Sequence, residues 1–453
     1  MKREIKDIFA GKTILILGLG LLGRGVGVAR FLARAGAHLI VTDLKSEKKL
    51  AASLKGLKRY SNITYVLGKH RVKDVDAADM IIRSTAVRYN SPFVLRAKEK
   101  HIPVEMDASL FAKLMPEGVQ IVGITGTRGK STVSYATAHI LEQSKSGTGN
   151  VYLAGNVRGV ATLPLLEKVK KGDVVVLELD SWQLQGFGEA RISPSIAVFT
   201  TFMRDHMDYY RGNMRVYMRD KTHVYRHQKK GDVFIASKDA LSAMKAYGAP
   251  KPKGTVVTPT ALSRDMKTKL IGEHNRHNLA LAVEACRALG IAERDIAKGV
   301  ATFSGVEGRL EYMGSIKGVE WYNDNNASSP DATIAALTAF KKKKKPVVLI
   351  AGGTDKNLDL RELALRIARV PKAVILFPGT ATDALLDMVR EMKQTLPIMY
   401  VESMKEAVSA AHDIAEKGDT VLLSPGASSK GLFKNEYDRN DQFIKEVKKL
   451  RKK

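Results

Sequence analysis

Short apolar runs recur along the chain, each followed by a glycine-rich or polar break and then by an amphipathic stretch. The first run, Thr13-Ile14-Leu15-Ile16-Leu17, leads into Gly18-Leu19-Gly20-Leu21-Leu22-Gly23, a helical stretch to Ala35, and a second run from His38 to Thr42 that ends at Asp43. The same strand–loop–helix order returns from Val119 to Gln143, with strands expected at Asp173–Leu179 and Ser195–Thr201 and a helix at Asn278–Ala288. Farther on, Val347-Val348-Leu349-Ile350, Ala373–Phe377 and Thr420–Leu423 are separated by amphipathic stretches such as Met404–Glu416. Runs of this kind read as buried strands, and their alternation with helices predicts an α/β chain of mostly parallel sheets.

At 453 residues the chain exceeds what one core usually supports. Three segments are expected: 1–108 with a Rossmann-like βαβ start, 109–305 built as a P-loop ATPase-like parallel sheet, and a Rossmann-like 306–453. No apolar run approaches the ~18 residues of a membrane span. Lys2 and Arg3 precede an apolar run, but Glu4 and Asp7 interrupt the basic region and no small-residue cleavage site follows, so a secretory signal is not expected. A single cysteine, Cys286, excludes an intrachain disulfide and suits a reducing cytoplasm.

The net charge of +27 favours polyanionic partners, among them nucleotides and pyrophosphates. Lys341 to Lys345 reads as a solvated loop before a strand. No zinc-finger spacing or aromatic-rich RNA-binding signature accompanies the charge, so no specific nucleic-acid partner is expected.

The glycines after the first strand have G-x-G-x-x-G spacing, with Asp43 twenty residues beyond Gly23. Alone this says dinucleotide dehydrogenase; its physical content is a tight turn and a helix N-terminus that accept any pyrophosphate. More specific is Gly123-Ile124-Thr125-Gly126-Thr127-Arg128-Gly129-Lys130-Ser131-Thr132, which ends as a phosphate loop does but carries isoleucine where G-x-x-x-x-G-K-[ST] has its first glycine. Gly126 and Gly129 allow backbone N–H groups to close on phosphate; Lys130 neutralises it and the Ser131 hydroxyl suits Mg²⁺. Downstream, Glu178 stands inside an apolar strand, Asp205-His206-Met207-Asp208 follows the next one, and Lys221 lies fifteen residues past His206.

This order, with Leu153-Ala154-Gly155-Asn156, Glu273-His274-Asn275-Arg276-His277-Asn278, Gly308-Arg309-Leu310-Glu311 and Asn323-Asp324, closely resembles the Mur ligases, which form amide bonds with ATP in peptidoglycan precursor synthesis. Three further stretches resemble the member that adds D-glutamate to UDP-N-acetylmuramoyl-L-alanine. They are the N-terminal glycine-rich turn, Asp324-Asn325-Asn326-Ala327-Ser328-Ser329, and Ser424-Pro425-Gly426-Ala427-Ser428-Ser429 followed by Phe433-Lys434-Asn435 and Arg439.

The resemblance implies a cytoplasmic, monomeric enzyme using ATP and Mg²⁺. Its first domain binds the UDP substrate, the second ATP, the third the amino acid. ATP would meet Gly126–Thr132, Asn275, Asn278, Arg309 and Asp324; the UDP substrate Gly20, Leu21, Leu22, Asp43, Lys45 and Asn156; and the amino acid Ser328, Lys356 and Ser429. Lys130, Glu178, His206 and Lys221 would be catalytic. Two Mg²⁺ sites would use Ser131 with Glu178, and His206 with a carbamylated Lys221.

Four positions depart from the family pattern: Arg128 for asparagine, Asp180 for a small hydroxyl residue, Asn326 for lysine, and Glu436 at a usually aromatic place. Another Mur-type ligase with a different amino acid, a folylpolyglutamate-synthase-like enzyme, an NAD-dependent dehydrogenase and a nonspecific nucleic-acid binder stay open as alternatives.

Overall fold

The computed structural model describes residues 2–144, 149–343, 345–355 and 358–451. Three sheets follow one another along the chain. The first contains β1 (Thr13–Leu17), β2 (His38–Asp43), β3 (Ile63–Leu67), β4 (Met80–Arg83) and β5 (Val104–Glu105) in the order β3-β2-β1-β4-β5, all parallel. The order reverses between β1 and β4, so their C-terminal ends flank the crevice where α/β sheets hold ligands.

The second sheet contains β6 (Gln120–Thr125), β7 (Val151–Gly155), β8 (Val174–Glu178), β9 (Ile196–Phe199), β10 (Val233–Ala236) and β11 (Thr255–Val257), ordered β11-β10-β9-β6-β8-β7 and again all parallel. Every residue of β8 is buried, as is β6 after Gln120, which is why both are uninterrupted apolar runs. In register, Ile124 lies beside Glu178 on one side and Val198 on the other. The loops leaving β6, β8 and β9 therefore start level along one sheet edge.

The third sheet contains β12 (Glu311–Ile316), β13 (Val319–Asn323), β14 (Val347–Gly352), β15 (Pro371–Phe377), β16 (Ile398–Tyr400) and β17 (Thr420–Leu423), ordered β12-β13-β17-β14-β15-β16. Here β12 and β13 pair antiparallel through Lys317-Gly318, both at positive φ, and the other pairs are parallel. By compactness the chain divides into one unit reaching Ser263 together with Asn278–Val300, and a second of Arg264–His277 with Ala301 onward. The first contains two of the sheets, the second one.

Two expectations change. The helix expected to start at Asn278 begins at Glu273. The lysine run is not simply a loop, because the helix Pro330–Lys343 continues into it. Among the described residues no helix is long and apolar enough to cross a membrane.

Candidate active site

The isoleucine of the phosphate loop belongs to the sheet: Ile124 is fully buried in β6, and the turn begins only after Thr125. Gly126 and Gly129 take φ of 142° and 89°. A Cβ at Gly126 would lie 2.0 Å from Thr200 Oγ1 and 2.8 Å from Thr201 N; one at Gly129 would lie 2.3 Å from Asn278 Oδ1. Glycine is thus required twice, by conformation and by close approach.

The loop is bound to the residues after β9. Thr127 N donates to Thr201 O at 2.7 Å, Arg128 N donates to Thr201 Oγ1 at 2.9 Å, and Thr200 Oγ1 donates to Arg128 O at 2.5 Å. Helix Lys130–Gln143 follows, with Ser131 and Thr132 buried in its first turn. Its leading N–H groups face the loop, a ready anion site.

Two lysines converge beneath this loop. Lys130 Nζ donates to Gly126 O at 3.1 Å and Thr127 O at 3.2 Å, while Lys221 Nζ donates to the same Gly126 O at 2.7 Å and to Thr125 Oγ1 at 3.4 Å. Lys221, on helix Met214–Thr222, is buried, with its Nζ 4.9 Å from the centre of the Tyr217 ring. Burial first, then the charge of Lys130, holds its amine well below the usual lysine range.

At the neighbouring strand end Glu178 is 4% exposed, and its carboxylate makes no hydrogen bond or ion pair with another described residue. A buried carboxylate without a partner suits a cation brought by a ligand. Oxygen donors, the Glu178 carboxylate and the Ser131 hydroxyl, fit Mg²⁺. The amine of Lys221 does not fit a hard cation unless it gains oxygen atoms. Among the described residues no three His, Cys, Asp or Glu converge on a common point.

His206 starts a short helix in a left-handed conformation, φ 56°, and its ring lies against Trp182 at 4.6 Å between centres. Burial lowers its pKa; Asp205 pulls upward, and Lys130 and Lys221 push down. Arg128, a departure from the family pattern, forms an ion pair with Asp205 at 2.9 Å. Asp205 also accepts from His206 N at 2.9 Å, so Arg128 connects the phosphate loop to the His206 turn. Asp180 caps helix Ser181–Ala190, accepting from Gln183 N at 2.7 Å, work that a hydroxyl residue would do as well.

In the first sheet Gly20 N and Lys45 N each donate to Asp43 at 2.9 Å, and Lys45 Nζ is 3.5 Å away. Burial raises the Asp43 pKa, but these donors outweigh it and leave it below the usual value. Asp43 therefore shapes the glycine-rich turn, whose tip, Leu21 and Leu22, is half exposed. Asn156 N donates to Glu178 O at 2.6 Å, and Arg24 Nη2 donates to Asn156 Oδ1 at 3.1 Å, linking the two sheets' ligand edges.

In the second unit Asn275 Nδ2 donates to Ile271 O at 2.8 Å. Arg309 precedes Leu310, whose N donates to Asp324 Oδ1 at 3.0 Å; Ser424 Oγ donates to Asp324 Oδ2 at 2.8 Å. Burial pushes the Asp324 carboxyl up to about 7 despite these bonds. The fully buried Arg439 donates to Asn325 Oδ1 at 2.7 Å and Asn325 O at 2.9 Å, while Asn325 Nδ2 donates to Glu436 O at 2.9 Å. Asn326 Nδ2 donates to Glu307 O at 3.2 Å. Ser328 lines a small cleft with Asp355 and Gly426, and Ser429 is buried. Lys356 lies outside the described residues.

The first unit thus brings Gly126–Thr132, Glu178, His206, Lys221 and Asn278 to one sheet edge, and Arg309, Asp324, Ser328 and Ser429 belong to the second. Sequence reasoning missed Thr201, Trp182 and Tyr217. Tyr217 precedes Lys221 by four residues, one helical turn, which was its available signal.

Comparison with known proteins follows this division. Residues 12–105 match the Mur ligase MurD-like N-terminal domain, 124–261 the Mur ligase middle domain, and 308–426 the Mur ligase glutamate ligase domain. A UDP-N-acetylmuramoylalanine--D-glutamate ligase from Roseiflexus is 38% identical, covering 96% of this chain and 98% of the relative. One so named from Borreliella afzelii is 34% identical over 99% of each, and one from Geobacillus kaustophilus 32% identical over 96% and 98%. Among solved structures, UDP-N-acetylmuramate-alanine ligase MurC from Thermotoga maritima has a TM-score of 0.62 at 18% identity, covering 97% of this chain and 99% of that one. MurF ligase from Thermotoga maritima, solved in complex with ADP, has 0.61 at 16%, covering 99% and 100%. At these identities the structures speak for the fold.

Proposed function

The chain belongs to the Mur ligase family, and we propose that it joins D-glutamate to UDP-N-acetylmuramoyl-L-alanine at the expense of ATP, in the cytoplasm and as a monomer. The observation that carries the reading is the edge of the second sheet. There a glycine-built anion cradle, two lysines on one carbonyl and a buried carboxylate without a partner among the described residues stand together.

An amide does not form readily from a free carboxylate and an amine, because oxide would have to leave. In the reaction proposed, a carboxylate oxygen of UDP-N-acetylmuramoyl-L-alanine attacks the γ-phosphorus of ATP, the bond to the β,γ-bridging oxygen breaks, and ADP leaves. The neutral amine of D-glutamate then attacks the acyl carbon, loses a proton, and phosphate departs. Several anions must meet, so positioning and cations do most of the work. Lys130 is the cation for the transferred phosphate, swinging from the loop carbonyls it now contacts. Gly126–Thr132 supply N–H donors, with Asn278 beside them; Asn275, Arg309 and Asp324 are the remaining ATP contacts. The UDP substrate is assigned to Gly20–Leu22, Asp43, Lys45 and Asn156, and the amino acid to Ser328, Lys356 and Ser429.

Mg²⁺ is assigned to Ser131 and Glu178, with a second ion at His206 and a carbamylated Lys221; bound there, it would shield phosphate charge. The buried, readily deprotonated amine of Lys221 supports carbamylation, since only a neutral amine attacks CO₂. The dehydrogenase alternative would use Gly18 to Asp43, where Asp43 accepts from the backbone amides of Gly20 and Lys45, and would leave Lys130 and the phosphate loop without a role. Of the departures, Asn326 and Glu436 bear on the amino acid: the Asn326 side chain has a local role in donating to Glu307 O, whereas Glu436 is met by Asn325 only through its backbone carbonyl, which any residue would offer, and D-glutamate stays the preferred partner. The test is phosphate release from ATP with UDP-N-acetylmuramoyl-L-alanine, screened across D-Glu, L-Glu, L-Lys and meso-diaminopimelate. D-Glu alone should stimulate it; no stimulation by any amino acid would overturn the ligase reading.

A further inference from the structure

Arg83 ends β4 at the crevice of the first sheet and is 3% exposed, yet no carboxylate pairs with its guanidinium among the described residues. Nη1 donates to Val87 O at 2.6 Å; Nη2 donates to Gln185 Oε1 and Met106 Sδ, each at 3.0 Å. The other end of the Gln185 amide donates from Nε2 to Asp220 Oδ2 at 2.8 Å and to the Tyr209 hydroxyl at 3.2 Å. Tyr210 OH donates to the same Asp220 oxygen at 3.2 Å. A buried cation and a buried carboxylate are thus joined through one amide rather than directly.

The chain of contacts links places that must act together. Arg83 belongs to the first sheet and Gln185 to the helix capped by Asp180. Tyr209 and Tyr210 lie on the short helix opened by His206, and Asp220 immediately precedes Lys221. Two weaker ties run alongside: Lys98 lies 3.6 Å from Glu189, and the Arg88 guanidinium is 5.2 Å from the Tyr209 ring centre. Asp220 Oδ1 also has the largely exposed Arg219 Nη2 at 3.5 Å, but the Arg83 guanidinium has no carboxylate beside it among the described residues; burial of its charge would be costly, and the Gln185 amide is what connects it to Asp220 Oδ2.

We propose that Arg83, Gln185 and Asp220 form a polar strut that fixes the helix carrying Lys221 against the loop leaving β4, which makes Arg83 and Gln185 positioning residues for the reaction. The inference rests on the role assigned to Lys221 above. Glutamate at 185 would keep the bond to Arg83 but face Asp220 with a second carboxylate. Adding Asp220→Asn restores donor to acceptor along the whole chain with the charges exchanged.

Gln185→Glu should lower kcat about tenfold, the scale of coupling within one hydrogen-bond network, with KM for ATP unchanged, and Gln185→Glu/Asp220→Asn should recover to within about threefold of the original enzyme. Arg83→Met, which replaces a buried charge by an apolar chain of similar length, should fold and show the same loss of kcat. Amide hydrogen exchange in helix Met214–Thr222 reads the strut without reference to the reaction: it should quicken in Gln185→Glu and return in the double variant. Exchange unchanged in Gln185→Glu would overturn the strut itself. Quickened exchange with unaltered kcat, or losses that multiply in the double variant, would overturn its positioning role.

Discussion

Replacing Gly126 by alanine tests the phosphate loop at its tightest point. At φ 142° an L-residue is strained, and a site that only glycine normally occupies costs about 1–3 kcal/mol. The new methyl would also sit 2.0 Å from Thr200 Oγ1, 2.8 Å from Thr201 N and 3.0 Å from Thr201 O. The hydroxyl can rotate away, but the Thr201 backbone follows directly on β9 (Ile196–Phe199) and cannot move as a side chain does. Relief requires the loop to lift from it, loosening the bonds of Thr127 N and Arg128 N to Thr201, at about 1 kcal/mol each. The sum is roughly 3–5 kcal/mol, which lies within the stability of an ordinary domain and lowers its melting temperature by roughly 6–20 °C. Displacing N–H donors by an ångström should cut kcat/KM for ATP about a hundredfold. Gly172→Ala is the control: φ is 90°, nothing lies within 4 Å of its Cβ, and it should cost about 1–2 kcal/mol with ATP use unchanged. Calorimetry and ATP-dependent phosphate release measure both. If Gly126→Ala melts and turns over like Gly172→Ala, the loop is not held as described.

Lys221→Met should melt within a few degrees of the parent, because Lys130 still serves Gly126 O, while phosphate release falls by at least about a hundredfold; retention of activity would dismiss the catalytic role. Arg128→Asn should raise KM for ATP by no more than about threefold, and in a thermal double-variant cycle with Asp205→Asn the pair, partly exposed, should couple by about 0.5–1 kcal/mol; additive effects would return Arg128 to the nucleotide. The Asp324 carboxyl holds its proton to about 7 in the folded chain against 3.8 unfolded, so the native state binds the proton more tightly and stability falls as pH climbs between those values. Asp324→Asn should therefore gain on the parent by up to roughly 4 kcal/mol between pH 4 and pH 8 in denaturant titrations; a gain independent of pH would contradict the burial argument.

What the sequence made legible follows from which constraints are local. Runs such as Val347–Ile350 and Thr420–Leu423 are buried on both faces, and an uninterrupted apolar stretch is the direct consequence. The phosphate loop was legible because its glycines answer to φ and to close approach, both properties of a few adjacent residues. Strands such as Ile398–Tyr400, at a sheet edge with Met399 and Tyr400 exposed, lack that pressure and left no pattern. The hairpin β12–β13 is marked only at its turn, Lys317-Gly318, because its strands mix Glu311, Ser315, Glu320 and Asn323 with apolar residues.

The partner of Arg128 could not be read in the same way. Asp205 lies 77 residues away, and no spacing rule connects them. What brings them together is the level start of the loops after β6 and β9, a consequence of register that appears only once the strand order is known. For the same reason Ile124 posed a puzzle in one dimension and none in three. The sequence pattern counts it into the loop, whereas the sheet holds it as the residue beside Glu178, so replacing it by the glycine of the commoner pattern would open a cavity in the strand and add nothing to phosphate binding.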